Sequence, residues 1–201
     1  MKKYFVLVLC VAVCWLAFGY HRQLVISRGE QLVTDAYYGN LIDVKNDVEK
    51  GAPLDYMFTF EDPERAYSFQ TFNALQAAAS SGSEDVILFL LKQGLDINQP
   101  TPQGWTPLFI AARDGRADAA KLLIFKKADL NMQTDLGTTA LTMVVTQDYP
   151  TEKARLDLLE YMLKRGADPN IEDIYHHTSL YYAAAKKNEV AVELLKKYGA
   201  Q

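Results

Sequence analysis

Four segments of this chain repeat one another, and most of the repetition runs at a fixed interval of 33 residues. The clearest copy reads Thr106-Pro107-Leu108-Phe109-Ile110-Ala111-Ala112, then Gly115, then Lys121-Leu122-Leu123, and closes on Ala128-Asp129-Leu130-Asn131. Thirty-three positions earlier stand Asn73-Ala74-Leu75, Ala78-Ala79, Gly82, Leu90-Leu91, Gly94, Asp96 and Asn98. Thirty-three positions later Thr139-Ala140-Leu141 opens a copy that ends in Gly166-Ala167-Asp168-Pro169-Asn170, after an insertion of about six residues. Thr178-Ser179-Leu180, Ala183-Ala184 and Gly199-Ala200 form a further copy. Such a unit cannot bury its own apolar face, so the copies must stack on one another.

Within a copy the pattern is helical. Asn or Thr opens each one, a side chain able to accept a hydrogen bond from the free amides of a first helical turn. Pro107 takes a first helical position, where its missing N–H is not needed. Ala78, Ala79, Ala111, Ala112, Ala183 and Ala184 keep the first helix slim enough for close neighbours. A glycine-containing turn leads to a second amphipathic helix, expected over 85–93 and 118–126, and Gly94, Gly166 and Gly199 end such helices in the left-handed conformation. Lys127 replaces that glycine in the central copy. A weaker copy comes first, with Leu32, Ala36 and Gly39 on its inner helix and turn, Val44 and Val48 on its outer helix, and Gly51-Ala52-Pro53-Leu54-Asp55 at its end.

These motifs resemble the ankyrin repeat, whose period is about 33 residues. The resemblance covers everything after the first 29 residues and implies an all-α solenoid of about five helix-turn-helix repeats with short hairpin-like fingers. The expected repeats span 30–55, 68–98, 101–131, 134–170 and 173–201, preceded by a hydrophobic helix at 1–20 and a linker at 21–29. A family likeness of this kind implies a non-enzymatic module that holds another protein.

Composition narrows the partners. A formal net charge of −4 with no basic stripe argues against nucleic acid, which demands many Lys and Arg contacts to phosphate. Lys2 and Lys3 precede an uncharged run from Tyr4 to Tyr20, which as a helix would be about 25 Å long, at the short end for crossing a bilayer. Two readings stand: an uncleaved inner-membrane anchor through residues 4–20, or a signal peptide cut after Ala17-Phe18-Gly19. Both place the repeats outside the cytoplasm. Cys10 and Cys14 are the only cysteines, and no Asn-x-Ser/Thr acceptor occurs, a combination that fits a bacterial periplasmic domain.

No nucleophile elbow, phosphate loop or metal-ligand spacing is present, so no catalytic residue, metal or cofactor is expected. The rival reading is a metal-dependent enzyme using His176 and His177, but adjacent residues on an extended tip point to opposite sides. The resemblance directs attention instead to the fingers and inner-helix ends. Tyr37, Tyr38, Phe69, Phe72, Gln103, Trp105, Arg113, Asp114, Leu136, Ile174, Tyr175 and His177 are the candidate partner contacts, since aromatic residues and Arg dominate binding hot spots. An insertion at 56–67, both aromatic and acidic, is either a long gripping finger or a lid over the first repeat through Phe58 and Phe60. A second, at 149–154, is a longer loop that Pro150 keeps from continuing the helix. Export, small size and an acidic aromatic groove suit an immunity protein that neutralises a secreted toxin or lipase; they also suit a periplasmic envelope-maintenance partner.

Overall fold

A computed structural model describes residues 27–61 and 69–201, with backbone alone for Phe60, Glu61 and Phe69. The expected leader at 1–20 and most of the linker at 21–29 lie outside the described residues. Among the described residues no helix is long and apolar enough to cross a membrane.

Helices come in antiparallel pairs. The first is α1 (27–37) with α2 (Leu41–Glu49); α3 (Ala74–Ser81) pairs with α4 (Glu84–Lys92), α5 (Pro107–Arg113) with α6 (Ala117–Phe125), α7 (Ala140–Thr146) with α8 (Glu152–Lys164), and α9 (Ser179–Ala185) with α10 (Glu189–Lys197). The second helices of the two central pairs start and end one residue earlier than the sequence pattern suggests. Side-chain caps start four of the inner helices: Asn73, Thr106, Thr139 and Thr178 accept from the amides of Gln76, Phe109, Thr142 and Tyr181. At Asn73 the Gln76 side chain returns the bond, completing a capping box.

Stacking follows from the alanines. The inner helices pack in the order α3, α5, α7, α9, and the outer helices in the order α2, α4, α6, α8, α10. Ala77, Ala78, Ala79, Ala111 and Ala112 are fully buried between the layers, with Leu75, Leu90, Leu108, Leu123 and Leu141 completing one continuous core. Ala183 is buried too, but Ala184, expected in the same role, is exposed because no described helix lies beyond it. Loop ends are linked by an asparagine ladder: the side-chain oxygens of Asn98, Asn131 and Asn170 accept from the amides of Asp129, Asp168 and Gln201 in the following loop.

The insertion at 56–67 adds strand to an otherwise helical molecule. β1 (Phe58–Glu61) pairs antiparallel with β2 (Phe69–Phe72), placing Phe58 opposite Phe72 and Thr59 opposite Thr71. The two threonine hydroxyls are 2.9 Å apart. The base of the insertion is therefore a ribbon, and Phe58 also packs against the core, so features of both finger and cover are present. The side chain of Phe60 lies outside the description. At the second insertion the loop folds inward: Tyr149 donates its hydroxyl to the Ala112 carbonyl at 2.7 Å, one repeat away. Burial pushes that hydroxyl's pKa well above the usual tyrosine value. Gly115 makes the approach feasible, since a Cβ there would sit 3.0 Å from the Asp148 carbonyl oxygen.

Candidate partner-binding face

Each of the last three fingers is a tight turn closed by its own backbone. Thr101, Thr134 and Asp173 donate their amides to the carbonyls of Trp105, Thr138 and His177 at 3.0, 3.0 and 3.1 Å. Successive fingers are then joined: the Asp135 amide donates to the Gln103 carbonyl at 3.2 Å, and the Ile174 amide to the Leu136 carbonyl at 3.1 Å. Gln133 adds a side-chain strut to the carbonyls of Gly137 and Glu172. Gly104 and Gly137 permit the contact, because a Cβ at either would lie 2.9 Å from a backbone atom of the next finger. His176 holds the corresponding place in the last finger with φ 60°, where no further finger among the described residues crowds it.

Arg113 organises the centre of this face. Its guanidinium forms two bonds to Asp114, at 2.7 and 2.8 Å, and a third to the Gln70 amide oxygen at 3.0 Å. It lies 4.7 Å from the centre of the Trp105 ring and 5.8 Å from that of Phe72. Ser80 donates to Asp114 at 2.6 Å, carrying the network into the preceding repeat. The Trp105 ring is itself stacked on Phe109, four residues on. This arrangement ties two successive repeats together and sets the tryptophan as a half-buried platform.

The same i, i+4 stack recurs in the last repeat, where His177 lies 3.7 Å above Tyr181 and nearly parallel to it. Tyr182 meets both rings edge-on and donates its hydroxyl to Asp173. That bond to the carboxylate is the main reason its pKa rises to about 12. Burial works against the charge on Asp173, but the Tyr182 hydroxyl and the amides of His177 and Tyr175 outweigh it and hold the carboxyl below its usual range. A charged Asp173 is thus the internal brace of the last finger.

The fate of each expected contact residue follows from these networks. Tyr37, Tyr38, Gln103, Leu136, Ile174 and Tyr175 are exposed, and Trp105 and His177 are half-buried. Leu136, Ile174 and Tyr175 are brought together by the finger-to-finger bond, whereas Tyr37 and Tyr38 stand apart at the end of α1. Phe72 has to be withdrawn: it is 1 % exposed, because the strand pairing turns it onto the core. Arg113 and Asp114 are about nine-tenths covered and spend their bonds on each other, so they shape the face rather than project from it. The backbone of Phe69 belongs to β2, but its side chain lies outside the description. His176 and His177 part company, the first bonding the Glu172 carboxylate and the second lying on Tyr181. Among the described residues no group of three His, Cys, Asp or Glu side chains is placed to hold a metal ion. Sequence reasoning missed Tyr181, although its spacing from His177 matches that of Phe109 from Trp105. It also missed Tyr149 and Gln76, whose roles depend on contacts 37 and 23 residues away.

Comparison with known proteins agrees with the repeat pattern. The family described as Ankyrin repeats (3 copies) matches residues 55–134. Residues 55–134 are ankyrin repeats. An ankyrin repeat, SAM and basic leucine zipper domain-containing protein 1 from Dasypus novemcinctus is 29 % identical over 124 residues, covering 62 % of this chain and 26 % of that protein. The protein of the same name from Colobus guereza is 30 % identical over 107 residues, or 53 % of this chain and 22 % of its own length. Protein phosphatase 1 regulatory subunit 27 of Homo sapiens is 46 % identical over 48 residues, 24 % of this chain and 31 % of that protein. The chain therefore spans between about a fifth and a third of the length of these relatives.

Proposed function

We propose that this protein is a non-enzymatic scaffold that binds another protein along its row of fingers. The observation that carries this reading is the finger row itself, stitched by backbone bonds and topped by exposed Leu136, Ile174 and Tyr175 beside the His177–Tyr181 stack. Rigid aromatic groups on a fixed frame bind without large ordering costs. Ankyrin repeats are interaction modules, and one human relative is named as a regulatory subunit, which supports action through a bound partner.

Charge indicates the kind of partner. Asp135 is exposed on its finger, and the sequence of the insertion adds Glu61, Asp62 and Glu64 against Arg65 alone. A basic segment with apolar anchors complements such a face. Complementary charge speeds encounter and makes binding sensitive to salt. The uncharged run from Tyr4 to Tyr20 supports export of the repeats toward the periplasm, as a single-pass anchored or released protein. Within that setting the reading narrows to an immunity protein holding a secreted toxin or lipase.

The experiment is affinity capture with the full chain, repeated with Trp105→Ala and Tyr175→Ala at low and high salt. Loss of the captured protein in both variants, and weaker capture at high salt, is expected. Unchanged capture in both variants contradicts the assignment of this face.

A further inference from the structure

The first repeat breaks the core pattern at two points. Counted from the turn residues Gly39, Gly82, Gly115 and Lys187, Asp47 of α2 stands where α4, α6 and α10 carry Leu90, Leu123 and Leu195, each fully buried. Asp35 of α1 stands where the later inner helices carry Ala78, Ala111, Val144 and Ala183, again fully buried. Asp47 is itself only 7 % exposed, and its Oδ2 is buried without a hydrogen-bond partner. Asp35 is the neighbouring carboxyl that acts on it, and the Gln31 side-chain amide donates to Asp35 at 2.9 Å. Two carboxyl groups thus neighbour each other in the joint between α1 and α2, where the repeat needs only methyl groups.

We propose that the buried Asp47 carboxyl, beside Asp35, is a proton-operated latch that holds α1 and α2 together while Asp47 is protonated and loosens them when it ionises. A buried carboxylate beside another is costly to charge, so Asp47 keeps its proton to higher pH than an exposed carboxyl does. The charged groups acting on Asp47 are Asp35 from α1 and Lys50 and Asp43 from its own helix region; Lys50 alone favours ionisation. The outer helix α4 also packs on α2, where its Phe89 ring lies under Lys45. Burial, then Asp35, raises the Asp47 carboxyl from 3.8 to about 6. A folded pKa raised above the unfolded one gives stability that is complete below the unfolded value and is lost as pH rises through about 6. The latch governs the repeat that presents Tyr37 and Tyr38, and it stands independently of what the fingers bind.

Hydrogen exchange of the full chain between pH 5 and pH 8, expressed as protection factors, tests this directly. In the wild type, protection across α1 and α2 should fall on the order of tenfold over that range, the loss a carboxyl raised by about two pH units predicts. Amides of α9 and α10, remote from the pair, should not follow the same titration. Asp47→Leu, which restores the residue of the other outer helices, should give first-repeat protection that no longer declines. Asp47→Asn, which keeps the shape, should do the same and guards against a variant that misfolds. Wild-type protection that stays level or rises with pH overturns the latch, as does a decline that persists in both variants.

Discussion

At the scale of single residues, the repeat is held by a few side chains whose partners lie a whole repeat away. Arg113 is one: its guanidinium spans Asp114, Gln70 and the Trp105 ring together. A lysine carries charge but cannot form that planar fork, so Arg113→Lys should cost about 1–3 kcal/mol, read by denaturant unfolding. Tyr149 is another, and Tyr149→Phe should cost about 1 kcal/mol by removing the hydroxyl bond to the Ala112 carbonyl. Because burial holds that hydroxyl neutral, the cost should be the same at pH 6 and pH 9. Lys127 works in the other direction. It adopts φ 74° where Gly94, Gly166 and Gly199 do so without strain, so Lys127→Gly should stabilise the chain by about 1 kcal/mol.

At the scale of elements, helices were legible and their couplings were not. Thr106, Thr139 and Thr178 announce helix starts because a cap acts within four residues, and the alanine runs announce close stacking because small side chains have few other uses in a core. The bonds from Asp135 to Gln103 and from Ile174 to Leu136 left no such trace, since backbone atoms make them regardless of residue type. Their only signature is glycine at the point of contact. Phe72 was misread for a related reason: a strand's inward face depends on register, and the insertion that supplies its partner strand has no counterpart in other repeats. Two glycine substitutions separate stitching from backbone strain. Gly51 and Gly104 both have φ near 80°, but a Cβ at Gly51 meets open space while one at Gly104 meets the next finger at 2.9 Å. Gly51→Ala should cost about 1 kcal/mol for conformation alone. Gly104→Ala should cost clearly more by thermal or denaturant unfolding, the excess being the finger-to-finger contact.

At the scale of the whole molecule, the five helix pairs of the described residues share one continuous core and one patterned edge. The patterned edge is the finger row, acidic in sequence and aromatic at its surface, with the Arg113 network beneath it. Exposed apolar residues occur elsewhere too: Phe125, at the end of the outer helix α6, is 61 % exposed and close in extent to Tyr175 at 66 %. That pair allows the central claim to be tested with exposure held nearly constant. A photo-reactive phenylalanine derivative is placed at Tyr175 in one variant and at Phe125 in another, and each full chain is irradiated in its own cells. The account predicts a discrete crosslinked protein from position 175 and none from position 125. A crosslink confined to position 125, with position 175 silent, would contradict it.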